Sequence, residues 1–435
     1  MLRVVVCGLA CALSLAGAVG PAAPSSAGST WAPGAPGQAV GRHLRPDGRL
    51  LIAWLHDGTS ADYRAQVAAM TGVSVVSPTW WRLDRRDPGA LTDSADPAFV
   101  AWAHARGLAV WPLLGNRIDP DLSDAVLRDP ARRARLVAGT VAALERAGAD
   151  GVNVDFENLH DATAPLLTAF VAELRAALTG QLVSVDVTAM TDSWVLGNWS
   201  TAYDRPGLAA AADYVVLMAY DQHNRLRPGG PVAGLDWVQD ALVFLLRSVP
   251  APKVVLGVPL YARDWVDDPA EPGVVNLDAT LGMAQMAQRL TAIDAHATFD
   301  ARAGQRLFSY VDPDGRGHRV WLEDADSLAA KARLVAEHGL AGAAAWRAGF
   351  ETPDAWPALD AALAAGPDPS PAPACDAAGA RPATASRPPS GAQVGPATAG
   401  TTDARRLAMG LLVAVAAGHG ARLAVRRQGN RRGPG

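Results

Sequence analysis

The stretch from Asp150 to Glu157, DGVNVDFE, holds the residues whose spacing could support chemistry. Its residues alternate between polar and apolar, which predicts a β-strand with Asn153, Asp155 and Glu157 on one face. Such a strand rises about 3.3 Å per residue, so these polar groups are set roughly 6–7 Å apart. Two carboxyl groups at the same face of one strand are candidates for acid and base chemistry.

The segments on both sides of this strand have helical patterns, which predicts that the strand is buried. Two carboxyl groups and an amide would cost several kcal/mol in a dry core without partners. We therefore interpret the polar face as an active site, because carboxyl groups with perturbed pKa values gather at working sites. A structural polar network or an exposed strand end is the alternative.

Strand-like and helical segments alternate about eight times along the chain. This alternation predicts an α/β fold, a (β/α)8 TIM barrel whose active site lies at the carboxyl ends of its strands. Asp155 and Glu157 fall near the end of the fourth strand, as this rule requires. The predicted strands are Leu50–Leu55, Val73–Trp81, Leu108–Asn116, Asp150–Glu157, Leu182–Thr188, Tyr214–Tyr220, Val254–Leu260 and Leu340–Trp346.

The connection between the seventh and eighth strands is too long for one helix. Its central part, about 267–319, contains a helix-like stretch at Ala279–Ala292 and a strand-like stretch at Leu307–Val311, with another just beyond at Val320–Leu322. Long loops without structure of their own are uncommon. We therefore predict a small α+β insertion, with a decorated loop as the alternative.

The N-terminal residues are typical of an exported protein. Arg3 precedes an apolar run from Val4 to Val19, followed by small residues, which predicts a signal peptide over residues 1–27. Residues 28–44 are rich in Pro, Ala and Gly and are predicted to be a disordered leader. The formal net charge of −4 gives no reason to expect a nucleic-acid partner.

The catalytic barrel is predicted over residues 45–365, and residues 366–404 have the composition of a flexible linker. Residues 405–435 contain an apolar run, Leu407–Val425, followed by an Arg-rich tail. A membrane-spanning helix needs about 20 mainly apolar residues, so this run is marginal. The segment is either a C-terminal membrane anchor with a cytoplasmic tail or an unanchored tail.

The DGVNVDFE stretch resembles the D-G-x-D-x-D-x-E signature of family 18 glycoside hydrolases, the chitinase-like enzymes. It departs at Asn153, where most members have the first inner Asp. With this departure it is similar to the branch of spore cortex-lytic, peptidoglycan-active N-acetylglucosaminidases. A second motif, Met218-Ala219-Tyr220-Asp221, resembles the family's M-x-Y-[DE] at the end of strand six.

The resemblance implies roles for these residues. Glu157 would be the general acid and later the base, with a pKa raised by burial and by a neighbouring charge. Asp155 would orient the substrate's acetamido group, and Asn153 would hydrogen-bond Asp155. Because an amide cannot share a proton, the site would carry one negative charge fewer than most relatives and show a simpler acid limb in its pH–rate profile.

The second motif and the strand ends supply the predicted sugar contacts. Tyr220 would donate its hydroxyl to the acetamido carbonyl, with Asp221 and Met218 in support, and Trp346 would form the floor of the sugar pocket. Loop or core packing is the alternative for several of these residues. The further candidates for substrate binding, each at or just past a strand end, are Trp80, Asn116, Tyr261 and Arg263.

The resemblance implies a glycosidase that cleaves β-linked N-acetylglucosamine by substrate-assisted catalysis with retention of configuration. The N-terminal pattern predicts that it is exported, and we expect a monomer. Peptidoglycan is the favoured substrate because of Asn153, and chitin oligomers are second. No spacing of His, Cys and carboxylates indicates a metal site, and no cofactor is expected. A catalytically silent carbohydrate-binding barrel is the alternative function.

Overall fold

The computed structural model describes residues 45, 47–225, 227–271, 275–293 and 295–366. The predicted signal peptide, leader and C-terminal anchor, and all of the predicted linker except Gly366, lie outside these residues. Among the helices of the described part, none combines the length and apolarity that crossing a membrane requires.

The described residues form a closed parallel barrel and a separate antiparallel sheet. The second and third barrel strands are each divided into two pieces; in the third, the break includes Pro112, which has no N–H for the ladder. The strands are β1 Leu50–Leu55, β2 Val75–Pro78, β3 Trp81–Leu83, β4 Leu91–Asp93, β5 Ala109–Val110, β6 Leu113–Gly115, β7 Gly151–Asp155, β8 Leu182–Thr188, β9 Tyr214–Met218, β10 Val254–Pro259, β11 Tyr261–Asp267, β12 Val275–Gly282, β13 His296–Asp300, β14 Gln305–Val311, β15 Gly317–Leu322 and β16 Gly342–Trp346.

Strand pairing closes the barrel. β16, the eighth barrel strand, pairs in parallel with both β10 and β1. The two pieces of the second barrel strand, β2 and β3, pair with the two pieces of the third, β5 and β6, and β6 pairs with β7. The predicted (β/α)8 barrel is therefore confirmed. The helices are α1 Ser60–Ala68, α2 Pro97–His104, α3 Pro120–Leu127, α4 Pro130–Ala147, α5 Ala164–Ala177, α6 Asn198–Thr201, α7 Arg205–Ala211, α8 Leu235–Leu246, α9 Met283–Thr291, α10 Ala325–Glu337 and α11 Ala355–Ala364.

Helix α4, which leads into the site-bearing strand, has clear start and stop signals. The Asp129 side chain accepts hydrogen bonds from the N–H groups of Ala131 and Arg132, and Pro130 occupies the first turn. Gly148 ends the helix at φ +68°, a left-handed conformation that glycine adopts without steric cost. These signals fix the point at which the chain turns into β7.

The alternation in β7 places its residues as predicted. Val152, Val154 and Phe156 are fully buried in the layer between barrel and helices, and the Phe156 ring stacks on Phe170 of α5 at 5.7 Å. The interior of the barrel has its own apolar cluster, which includes Trp54. Asn153 and Asp155, on the opposite face of β7, consequently point into the barrel near its mouth.

The insertion between β10 and β16 is a five-stranded antiparallel sheet, in the order β12-β11-β15-β14-β13, with helix α9. It begins at Tyr261, directly after β10, rather than near residue 267. The two strand predictions in this segment are confirmed. The helix prediction is wrong at Ala279–Gly282, because these residues end β12 and pair with β11 (for example Leu281 with Ala262), and this tertiary pairing overrides their helix propensity.

Candidate active site

The backbone that follows β7 is held by Asn116. The Asn116 side chain accepts a hydrogen bond from the Glu157 N–H at 3.1 Å and donates one to the Glu157 carbonyl at 2.7 Å. Tyr203 donates its hydroxyl to the preceding carbonyl, that of Phe156, at 2.9 Å. Asn116 is 1% exposed, so the prediction that it contacts sugar is corrected: its amide orients Glu157.

Asp155 and Glu157 are half-buried, and among the described residues no cation acts on the pKa of either carboxyl group. Burial raises the pKa of Asp155 to about 7, and its Oδ1 atom is buried without a hydrogen-bond partner. Burial, followed by the charges of Asp155 and Asp221, raises the pKa of Glu157 well above its usual value. The raised pKa favours the protonated form of Glu157, which a general acid requires.

Asn153 lies deeper in the barrel and does not hydrogen-bond Asp155, which corrects the sequence prediction. Its Oδ1 accepts from the Trp54 indole at 2.8 Å, and its Nδ2 donates to Ser184 Oγ at 3.0 Å and to Asp186 Oδ1 at 2.6 Å. Both amide protons are thereby directed to β8. The reason is register: Asn153 pairs with Ser184 across the parallel ladder, so the nearest acceptors belong to β8.

Asp186 is a third inward carboxyl group, which the sequence analysis missed. It is 1% exposed, and burial together with the Asp155 and Glu157 charges raises its pKa well above the usual value, against the hydrogen bond from Asn153. It adds a carboxyl group to those of Asp155 and Glu157 at the barrel mouth. The signal was present in the sequence, since Ser184, Asp186 and Thr188 alternate with three valines just as the polar residues of β7 do.

The end of β9 adds Tyr220 and Asp221. Gly257 of β10 lets its strand approach β9 closely, because a Cβ there would lie only 2.7 Å from the Leu217 carbonyl oxygen. Burial raises the pKa of Tyr220, as do nearby Tyr261 and the charges of Asp186, Glu157 and Asp155. The Tyr220 hydroxyl thus remains a proton donor close to the three carboxyl groups. Met218, 7% exposed, supports this strand end from within the barrel.

Asp221 adopts a left-handed backbone conformation at φ +65°, which surrounding contacts must hold. Tyr261 donates its hydroxyl to Asp221 Oδ1, and Arg263 Nη2 donates to the same oxygen at 2.8 Å. Arg263 also donates to the His223 carbonyl at 2.6 Å. Tyr261 and Arg263 are 4% and 5% exposed, so the structure places them behind Asp221 and corrects their prediction as sugar contacts.

Trp346, at the end of β16, is half-buried beside the barrel axis. Its ring lies edge-on to Trp54 at 5.9 Å and 5.2 Å from the imidazole of His56. His56 was missed by the sequence analysis; burial lowers its pKa to about 4, so it is a neutral hydrogen-bonding group near neutral pH.

Trp80 contacts Phe99 of α2 edge-on at 5.7 Å in the layer between barrel and helices, which contradicts its prediction as a sugar contact.

Comparison with known proteins agrees with this arrangement. Residues 95–351, more than half of the chain, match the family model of Glycosyl hydrolases family 18. This chain belongs to that family. The matched range includes β7 and the carboxyl pair Asp155 and Glu157.

Two Bacillus subtilis relatives and one solved structure show how far the family likeness extends. The protein YdhD is 33% identical over 248 residues, 56% of this chain and 58% of YdhD, and a cortical fragment-lytic enzyme is 29% identical over 242 residues, 54% and 55% of the two chains. The chain thus spans little more than half the length of these relatives. A chitinase from Chromobacterium violaceum superposes with a TM-score of 0.65 at 28% identity, covering 73% of this chain and 99% of the chitinase.

Proposed function

We propose that this family 18 glycoside hydrolase is an exported enzyme that cleaves β-linked N-acetylglucosamine by substrate-assisted, retaining catalysis. The observation that carries the proposal is the inward carboxyl pair at the barrel mouth: a Glu157 whose pKa is raised, two residues after an Asp155 with an unpartnered buried oxygen. A polar atom buried without a partner costs free energy, and a ligand N–H would relieve that cost.

In the first step, the acetamido oxygen of the substrate attacks the anomeric carbon, and Glu157 transfers its proton to the departing glycosidic oxygen. Asp155 accepts a hydrogen bond from the acetamido N–H and stabilises the positive charge of the oxazolinium ion that forms. Tyr220 donates its hydroxyl to the acetamido oxygen. Glu157, now a carboxylate, takes a proton from the water that opens the oxazolinium ion, which restores the acid and retains configuration.

Peptidoglycan is the substrate that we favour, and chitin oligomers are second. Similarity to a cortical fragment-lytic enzyme and the amide at Asn153 support the first, and similarity to a chitinase supports the second. A digest of purified peptidoglycan with the full chain tests the choice. Reducing-end N-acetylglucosamine is expected, with turnover faster than on N-acetylglucosamine oligomers; new reducing ends on muramic acid alone would refute the proposal.

A catalytically silent sugar-binding barrel is the competing function, and one pair of variants separates it from an enzyme. Wild type, Glu157→Gln and Glu145→Gln are assayed on a chromogenic N-acetylglucosaminide. Glu145 is exposed on α4 and serves as the matched control. We expect activity in the wild type and the control and its loss in Glu157→Gln; equal rates in all three would mean that the acid does nothing.

Export, followed by anchoring through residues 405–435 or release into the medium, belongs to the same proposal. It is supported by the apolar run after Arg3 and by the Arg-rich tail after Leu407–Val425. Cell fractionation tests it. Full-length protein in the membrane fraction indicates the anchor, soluble protein in the medium indicates an unanchored tail, and protein retained in the cytoplasm contradicts export.

A further inference from the structure

Asp186 is a buried carboxyl group to which the proposed reaction assigns no step. The last ladder pair between β7 and β8 joins Val154 to Val185, so the next residues, Asp155 and Asp186, are lateral neighbours on adjacent strands. Adjacent strands lie about 4.8 Å apart, and both side chains point into the barrel. The two carboxyl groups are therefore within reach of each other at the mouth.

Among the described residues, no positively charged side chain acts on Asp186. In the part of the chain that the structure describes, the charged or titratable groups that act on Asp186 or respond to it are Asp155 and Glu157, with the hydroxyls of Tyr220 and Tyr203. The only side-chain hydrogen bond to Asp186 in this region comes from Asn153 Nδ2 and ends on Oδ1, which leaves Oδ2 able to carry a proton. Three carboxyl groups this close cannot all be ionised near neutral pH.

The amide of Asn153 is also fixed in one orientation. Trp54 donates to its oxygen, so its nitrogen must face Ser184 and Asp186. Neither amide proton remains for Asp155, whose Oδ1 is buried without a partner. Position 153 of β7 thus carries an amide, while the carboxyl group of Asp186 stands on β8 at the level of Asp155.

We propose that Asp186 is a positioning residue that takes over the proton of Asp155 when substrate binds. The proposal rests on the proposed function of the site. In the free enzyme the two aspartates share one proton. As the acetamido group arrives, the O–H bond on Asp155 breaks and one forms on Asp186, so Asp155 becomes the anion that accepts the acetamido N–H. The proton returns when product leaves, and none is exchanged with solvent.

The kinetic test uses Asp186→Asn, which preserves the acceptor for Asn153, and the exchange variant Asn153→Asp/Asp186→Asn, which moves the carboxyl group back to β7. Asp186→Asn is expected to lower kcat by about 10–100-fold, somewhat less than loss of a direct acid–base group, with KM changed about twofold or less. Its acid limb should move to higher pH, because Asp155 must then release its proton from a buried position to solvent.

The exchange variant is expected to recover most of kcat and the wild-type acid limb, whereas Asn153→Asp alone should not raise the rate. A purely structural role for Asp186 predicts the opposite pattern: rates that follow the melting temperatures of the variants, with unshifted pH profiles. A wild-type kcat and acid limb in Asp186→Asn would overturn the proposal.

A readout without turnover keeps this test separate from the proposed function. The infrared absorption of protonated carboxyl groups is recorded for wild type and Asp186→Asn near neutral pH, with an N-acetylglucosamine oligomer bound whose glycosidic oxygens are replaced by sulfur so that it resists hydrolysis. One protonated carboxyl group fewer is expected in the variant, and an unchanged number would overturn the inference. If the wild type binds the oligomer but hydrolyses no N-acetylglucosaminide, the proposed function fails while this measurement still decides whether Asp186 holds a proton.

Discussion

The barrel mouth and the insertion both bury carboxyl groups, but they surround them differently. In the insertion, fully buried Asp264 meets Arg289 at 2.9 Å and His318 Nδ1 at 2.9 Å. At the junction of the insertion with α10, Glu323 is bound by Lys331 through both carboxylate oxygens, at 3.1 and 2.9 Å. Asp155, Glu157 and Asp186 have no ion pair within the described ranges, and their pKa values are raised.

The difference separates structural carboxylates from reactive ones. A carboxylate with a cationic partner ties elements together, and Lys331 opposes the rise that burial causes in the pKa of Glu323. Within the described residues no cation opposes that rise for the carboxyl groups at the barrel mouth, which favours their protonated, proton-donating form. Asp264, Asp278 and His318 also lie close enough to offer ligands to a metal ion, yet Arg289 already bonds both carboxylates, at 2.9 and 3.0 Å. The cation of this cluster is therefore a side chain of the protein.

Loss of Glu157, the acid at the barrel mouth, should lower kcat more than any other single change. Glu157→Gln is expected to lower kcat about 10²–10⁴-fold, because proton transfer to the leaving oxygen is lost. Its free energy of unfolding should not fall, since no partner of Glu157's carboxyl group is left unpaired. Steady-state kinetics and chemical denaturation of the same samples check both halves; a large loss of stability would place Glu157 among the structural carboxylates.

Loss of Lys331, the cation that binds Glu323 at the junction of the insertion with α10, should lower stability and leave catalysis intact. Lys331→Met leaves buried Glu323 without its counter-charge and is expected to cost about 3–5 kcal/mol of unfolding free energy. The kcat per folded molecule should remain at the wild-type level. Urea denaturation measures the loss, and the double variant Glu323→Leu/Lys331→Met should recover most of it; no recovery would mean that the pair does more than balance charge.

The Tyr220 hydroxyl, just after β9, lies among the carboxyl groups at the barrel mouth. Its loss, like the loss of the Glu157 carboxyl group, should not lower stability. Tyr220→Phe is expected to lower kcat about 10²-fold, comparable to removing one hydrogen-bond donor to a developing charge. Tyr261→Phe is the contrasting variant, since Tyr261 donates its hydroxyl to Asp221. A smaller effect on kcat is expected there, and the reverse order would exchange the roles assigned to the two tyrosines.

A pH dependence of stability is also expected. The pKa of Asp155 is raised from 3.8 to about 7, so between these values the folded state holds a proton that the unfolded state has released. Stability from this group therefore falls as pH rises through this window and is level above it. Asp155→Asn should flatten that slope and increase stability at about pH 8, as denaturation midpoints at about pH 4.5 and about pH 8 would reveal. A steeper slope in the variant would contradict the assignment.

Local sequence patterns determined the barrel and the strand that carries its carboxyl pair. Alternation in β7 and the caps of α4 are encoded within a few residues, so the inward face of Asp155 and the position of Glu157 followed without tertiary information. The same rule would have identified Asp186 in β8. The helix expected at Ala279–Gly282 failed because a strand from another part of the insertion pairs there.

Only the tertiary structure decided which polar side chain meets which partner. Asn116, Tyr261 and Arg263 stand at strand ends, like true ligand contacts, but closure of the barrel turns them onto Glu157 and Asp221. Asn153 likewise bonds across to β8, because parallel register sets its neighbours. Hydrogen bonds and pKa shifts depend on distances between residues far apart in the chain, which a linear pattern does not contain.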